Sequence, residues 1–434
     1  MRSSRVAAAT ALGLAASVAL AGCGVGGGSA GGNSQQTVSS TSALTGSITF
    51  QTWSLKNATF TPYFTALISS FEKAHPGTKI NWIDQPGDNY PDKVTSQVTG
   101  NSLPDVVNLP PEIAHTVAKT GNLLDLTKND PSIAQTYVAS GLSAYVYKDT
   151  GSGSDSFAFP WYLGTDVDYW NKTMMAKDGL NADDPPTTLS QLIADAKIMH
   201  DKSGGRDYLM SRAPGLIDFA NAGAPLLDSA GTRFTFNTAS AVAVLQQYTD
   251  AYKAGYLPSD VLTSTYEGNS ALFQKQEAAW TTGGGNLIES TQQTNPNLVA
   301  DIVPSAAIGT PPLYVQGISV SAKSRNLPLA LAFAEYVTNT ANQQAFIKLA
   351  PGFEPGTRGA SADSSADAGV GMQAQASAIA EKDVQSGVNF TPPIWTDAMN
   401  TILNQQIALA MTGEKSAKQA LDDTVDQANA LLTQ

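Results

Sequence analysis

Residues 157–172 read FAFPWYLGTDVDYWNK, and how this stretch is interpreted decides the fold. Phe157, Phe159, Trp161, Tyr162, Tyr169 and Trp170 crowd around Asp166 and Asp168, with Pro160 and Gly164 as breakers. One run of alternating strand and helix signals precedes it, and a run of different character follows. The stretch therefore reads as the point where the chain crosses between two lobes and begins to line the cleft between them. A buried hairpin in an ordinary core would use the same residues. Aromatic faces beside carboxylates suit a ligand with flat apolar patches and rings of hydroxyls.

The bulk numbers fit two lobes. At 434 residues the chain is too long for one small core. With 42% hydrophobic and 14% charged residues it is globular and lightly charged. A formal net charge of -12 argues against nucleic acid, whose phosphates demand a basic face. Histidines stand only at 75, 115 and 200, too scattered for a histidine-rich metal site. No cofactor is expected, because the triple glycine at 283–285 lacks the spacing of a nucleotide-binding loop.

Arg2 and Arg5 precede a small-residue apolar run from Val6 to Leu20, the length of a signal peptide and short of the roughly 20 residues a membrane span needs. Leu20-Ala21-Gly22-Cys23 follows, and it resembles the lipobox of bacterial lipoproteins. That resemblance implies cleavage before Cys23 and diacylation of its thiol. Residues 1–22 are thus expected to be a signal peptide, and 23–46 the lipidated cysteine with a Gly/Ser/Thr-rich flexible linker. Cys23 is the chain's one cysteine, so it has no disulfide partner. Two acyl chains on it would hold a soluble domain at the outer face of the bacterial cytoplasmic membrane.

Past the linker, Ser47–Trp53, Lys79–Ile83 and Asp105–Leu109 read as strands. Between and after them, helices are expected over Phe60–Phe71, Lys93–Val98 and Glu112–Lys119. This alternation predicts a mostly parallel sheet covered on both faces. Beyond the pivot, helices are expected at 189–200, 241–254, 271–275, from Pro328, and at 394–410. Strands are expected at 232–236, 278–281, 298–303 and 315–322. Thr340 with Gln343, and Ser416 with Gln419, form capping-box patterns. Residues 355–370 read as a loop.

Taken in order, several of these pieces resemble the extracellular solute-binding proteins that serve ABC importers, in the carbohydrate-carrying branch like maltose-binding protein. They are Phe71–Gly77, Leu103–Val107, Gly121–Leu126, Phe159–Tyr162 with Asp166–Lys172, Gly317–Ser321, and Thr412-Gly413 before Ala420–Asp422. The resemblance implies an α/β fold of two lobes joined by crossing segments that form a hinge, with ligand held in the cleft between them. Crossings are expected near 158, 302 and 350. Residues 47–158 plus 302–350 would then form lobe 1, and 159–301 plus 351–434 lobe 2. It also implies a monomer that performs no chemistry and delivers a small molecule, a sugar, to ABC permease subunits.

A sugar presents C–H faces and hydroxyl edges, so its site needs aromatic platforms with carboxylates or amides. By the resemblance, lobe 1 offers Trp53, Asp84, Gln85, Tyr90 and Asn108. Lobe 2 offers Trp161, Tyr162, Asp166 and Trp280, with Gly283 and Gly284 giving a ligand close access. Tyr314 and Gln316 lie near the second crossing, Phe353 and Glu354 near the third, and Trp395 opens a late helix. Each has a plainer alternative: Trp53, Trp280 and Trp395 as core, Asp84 as a turn, Tyr90 as a helix start, Asp166 as a hairpin cap.

Other functions remain open at this level. A binding protein for a non-sugar solute such as a polyamine would want several acids among aromatics. A passive surface lipoprotein would bind nothing. A secreted glycosidase would need paired carboxylates, but Asp166 and Asp168, one residue apart on a strand or turn, are expected to point to opposite faces, poor geometry for an acid and nucleophile pair. No GxSxG or HExxH motif is present.

Overall fold

Nine strands form two separate sheets in a computed structural model that describes residues 37–38, 44–150, 155–360 and 371–432. Cys23 and the leader before it lie outside the described residues, as does most of the linker and of the 355–370 loop. The strands are β1 (Gly46–Trp53), β2 (Thr78–Gln85), β3 (Val106–Leu109), β4 (Phe159–Gly164), β5 (Val167–Asn171), β6 (Trp280–Gly283), β7 (Ile302–Ser305), β8 (Tyr314–Val320) and β9 (Glu354–Pro355). The larger sheet has the order β2-β1-β3-β8-β4-β9, the smaller the order β6-β5-β7.

Strand alternation places each sheet between two cores. In the larger lobe, Val106 joins Phe50, Phe64, Phe71 and Phe333 on one face, while Val107 joins Val94, Leu109 and Tyr145 on the other. In the smaller lobe, Trp170 faces the large helical core and Tyr169 a lesser cluster with Phe273 and Leu287. Gly317 in β8 lets the Tyr145 ring lie against the sheet, since a Cβ there would stand 2.5 Å from that ring.

The expectation of a mostly parallel sheet does not hold. Only β1–β2 and β1–β3 run parallel; β3–β8, β8–β4, β4–β9 and the whole smaller sheet are antiparallel. The reason is topological, because β8 and β4 enter the larger sheet from the crossing segments and not through a strand–helix–strand unit. The expected crossings also shift. β4 still belongs to the larger sheet, so the first switch is at Thr165–Asp166; the second spans 306–313, and the third follows β9.

Three local expectations are corrected as well. Residues 232–236 form a single bridge, Leu227 to Phe234, and not a strand. Asp228 draws in the Thr232 and Arg233 N–H groups, and the buried Phe234 and Phe236 find no partner strand. The strand expected at 298–303 starts at Ile302, after a short 3-10 turn over Val299–Asp301. The helix Thr340–Ile347 is capped by Asn339, whose side chain accepts the Asn342 N–H at 2.9 Å. Gln343 is therefore free to turn inward, where it donates to the Pro160 carbonyl at 2.9 Å.

The three passes between the lobes lie side by side. The Thr165 hydroxyl donates to the Pro312 carbonyl at 2.7 Å, and Leu313 N–H donates to the Val388 carbonyl at 2.9 Å. A helix unforeseen in the sequence, Met372–Ser386, braces them. Gln373 near its start donates to the Gly285 carbonyl of the smaller lobe, and near its end the Val384 carbonyl accepts from Ser140 of the larger.

Trp161 anchors the larger core. It is fully buried, with its ring 4.5 Å from Phe346 and 6.0 Å from Phe64. Trp161→Ala is expected to lower stability by about 3–5 kcal/mol in denaturant unfolding of the unliganded protein. A loss below about 1 kcal/mol would show that the residue carries no core packing.

Candidate functional site

Register in the smaller sheet builds the site. Trp170 pairs with Trp280 and Asp168 with Thr282, so these four side chains share one face of β5 and β6. The segment 208–212 runs beside β6, with Trp280 N–H donating to the Leu209 carbonyl at 2.8 Å, and this delivers Arg212 to the Trp280 ring. The guanidinium lies 5.5 Å from that ring's centroid and 5.9 Å from that of Tyr248, within cation–π range.

Arg212 is already committed. Its two terminal nitrogens donate to both oxygens of Asp218 at 2.7 and 2.6 Å, a bidentate pair. Asp218 also accepts Gly215 N–H at the start of the helix Leu216–Asn221. Burial works against the Arg212 charge, but Asp218, Tyr248 and Asp168 together outweigh it and raise the pKa above the ordinary arginine value. From the same helix, Asn221 accepts the Thr310 N–H at 3.0 Å and so fixes the second crossing.

Asp166 and Asp168 meet at one cavity of about 470 Å³, together with Arg212, Trp280, Tyr314 and the 307–310 loop. The expectation that they point apart is corrected: residues two apart along an extended chain lie on the same face, as Asp168 and Trp170 do, and Asp166 stands two residues before Asp168 at the entry to β5. Asp166 accepts the Tyr314 hydroxyl at 3.1 Å, and Asp168 accepts the Ile308 N–H at 2.9 Å. Burial raises the pKa of both. For Asp168 it prevails over the Ile308 hydrogen bond, the Trp280 side chain and the Arg212 charge, and lifts the value to about 7. The Trp280 indole nitrogen is buried without a partner. The site is therefore a largely apolar hollow with an acidic flank, a geometry suited to binding.

The model of the bacterial extracellular solute-binding proteins matches residues 56–344. The chain belongs to that family. Its two-lobed fold is that of periplasmic binding proteins. A candidate oligosaccharide periplasmic-binding protein from Synechococcus sp. MITs9220 is similar, at 25% identity with a TM-score of 0.73, covering 89% of this chain and 99% of that one. The cyclic alpha-maltosyl-1,6-maltose binding protein of Arthrobacter globiformis is 18% identical with a TM-score of 0.68, over 89% and 99%. A solute-binding protein of Staphylococcus aureus, solved with maltose, is 15% identical with a TM-score of 0.69, over 89% and 98%. A search of curated proteins finds no match. Among the described residues, no helix is long and apolar enough to cross a membrane.

In this solute-binding protein the cavity gathers three of the residues singled out from the sequence: Asp166, Trp280 and Tyr314. The others lie outside it. Trp53 stacks on Tyr90 at 5.7 Å, and buried Tyr90 donates to the Asn108 carbonyl at 2.8 Å. Buried Asn108 in turn donates to the Gln316 side chain at 3.0 Å. Asp84 takes the Thr52 hydroxyl at 2.6 Å and the Leu55 and Lys56 N–H groups, which makes it the turn after β1. Gln85 reaches Gln51 at 3.4 Å.

Near the crossings, Trp161 is core, and Tyr162 is wedged between Phe346 at 5.2 Å and Phe353 at 4.9 Å. Glu354 is buried in β9, paired with Leu163. Gly283 makes room for Leu287, since a Cβ there would stand 2.5 Å from that side chain, and the Gly284 carbonyl accepts the Tyr169 hydroxyl at 2.7 Å. Trp395 packs against Phe234 at 5.1 Å in the smaller lobe's core, just before the helix Asp397–Thr412.

Sequence reasoning missed Arg212, Asp218, Asn221 and Gln247, all on the cavity wall. The only local signal was Pro185-Pro186 ahead of Thr187-Thr188, which also line it.

The raised Asp168 pKa has a signed consequence. The folded protein holds a proton that the unfolded chain releases at its ordinary value near 3.9, so Asp168 makes stability fall as pH rises from about 4 through 7. Asp168→Asn should flatten that decline when Tm is followed across the range. An unchanged pH slope would show that Asp168 is ionised throughout.

Proposed function

We propose that this solute-binding protein captures a carbohydrate, a mono- or oligosaccharide, in the cavity beside Asp166 and Trp280 and delivers it to the permease subunits of an ABC importer. The observation that carries the reading is the convergence of an indole ring, two carboxylates and the side-chain amides of Asn221 and Gln247 on one hollow. That is the equipment a ring with C–H faces and hydroxyl edges requires. The cavity volume lies within the range of about 300–1,000 Å³ usual for small-molecule sites. The sugars named for the Arthrobacter and Staphylococcus relatives support the same cargo class.

In this reading Asp166, Trp280 and Tyr314 touch the ligand, and the remaining candidates from the sequence shape the lobes. The protein acts as a monomer and catalyses nothing. The two lobes divide near the proposed cuts, moved along the chain to follow the strand pairing, and closure about the crossing segments shuts the cavity. Cys23 carries the lipid that keeps the protein at the outer face of the cytoplasmic membrane.

A micromolar dissociation constant corresponds to about -8 kcal/mol, within reach of one stacked ring and a buried hydrogen-bond network. In a thermal-shift screen, glucose, maltose, cellobiose and longer oligosaccharides should include at least one that raises Tm. Asp166→Ala should abolish that rise while leaving the unliganded Tm nearly unchanged. Turnover of an oligosaccharide, or no response to any sugar, would overturn the reading. Cys23→Ser should release the protein from cells into the medium, and retention of that variant would remove the lipid anchor.

A further inference from the structure

The cavity wall carries an uneven charge. Asp166, Asp168 and Asp218 face one cation, Arg212, and among the described residues lining the cavity there is no lysine, histidine or glutamate. Arg212 is bound through both terminal nitrogens to Asp218, so it reaches Asp166 and Asp168 only through its charge at a distance and not by contact. Asp166 has the Tyr314 hydroxyl and Asp168 the Ile308 N–H, but neither has a cation in contact. A buried carboxylate without a counter-charge is costly unless it is protonated or a cation arrives. Beside them the buried indole N–H of Trp280 lies near Asp168 but makes no hydrogen bond of ordinary geometry, so the same corner holds a donor that a ligand hydroxyl can engage.

We propose that the cargo is an amine-bearing sugar, its ammonium seated between Asp166 and Asp168 and its hydroxyls on the rest of the wall. This rests on the carbohydrate reading above and narrows it.

The rest of the wall argues against a linear polyamine. Thr187, Thr188 and Ser190 stand at the start of the helix Leu189–Ser203, beside Gln247 from the neighbouring helix. A helix N-terminus carries partial positive charge and disfavours a second cation, whereas hydroxyls and an amide suit neutral hydroxyl groups. A polyamine needs acids at both ends, and this wall has them at one.

Binding an ammonium also changes the protonation of the site. The groups facing Asp168 are Asp166 and Arg212, with Asp218 behind the latter. Burial holds Asp168 partly protonated at neutral pH, and an incoming cation favours the carboxylate, so a proton leaves on binding.

The test is isothermal titration of the full protein with glucose and maltose against their 6-amino-6-deoxy derivatives. The latter carry primary amines that stay protonated near neutral pH. Spermidine is the third arm. The amino derivatives should bind about tenfold or more tightly than their parents. Their binding enthalpy should depend on the buffer, in the sense of a proton released. Asp168→Asn, which keeps an acceptor for Ile308, should erase both the preference and the proton.

Parent sugars that bind as well as the amines would overturn this inference and leave the carbohydrate role standing. Spermidine binding without any sugar, or no binding at all, would overturn both. Should Asp168→Asn fail to fold, the proton count of the wild-type protein decides: an amine preference without proton release overturns the assignment to Asp168.

Discussion

A single hydrogen bond sets the frame: the Thr165 hydroxyl donates to the Pro312 carbonyl and ties the first pass between the lobes to the second. The third joins through Leu313 and Val388. Three adjacent passes leave the lobes one shared axis and few other ways to move. Closure about an axis needs a few terminal residues to change dihedral angle while the cores stay rigid. Here those residues also present Asp166, Ile308, Thr310 and Tyr314 to the cavity. The hinge and one wall of the site are the same stretch of chain, so motion of one is felt directly by the other.

Legibility in the sequence followed the range of the forces involved. β1, β2 and β3 with their intervening helices were readable, because their apolar periods are local and their ends carry Pro or Gly. The helix Ala417–Leu431 was too, with Ser416 as its cap. The antiparallel entry of β8 was not, because its partners lie far away in sequence. Helix Met372–Ser386 buries little beyond alanines, Asp383 and Val384, so its apolar stripe was too faint to register.

The site was legible in part for the same reason. Asp166 stood out among aromatics. Trp161 stood out equally but turned into the core, since β4 belongs to the larger sheet and its alternation faces Phe64 and Phe346. Arg212 and Asp218 form their pair within six residues, yet nothing local says that a sheet edge will bring Trp280 over the guanidinium. Asp168 was set aside on a misapplied alternation argument: residues two apart in extended chain share a face, so Asp166 and Asp168 reach the same cavity.

The larger lobe's polar edge has a different character from the cavity. Gln51, Gln97, Tyr90, Asn108 and Gln316 satisfy one another through short hydrogen bonds, and Asp84 is used up in a turn. Two buried atoms there have no partner, the Trp53 indole nitrogen and Asn108 Oδ1. An edge so largely self-satisfied gains little by exchanging its internal bonds for bonds to a ligand. These groups and the Trp53–Tyr90 stack lie outside the lining of the cavity. The labour is therefore divided unequally. In the proposed reading the smaller lobe and the crossings recognise the ligand, so discrimination among ligands should be governed by the register of β5 against β6 more than by the ends of β1, β2 and β3.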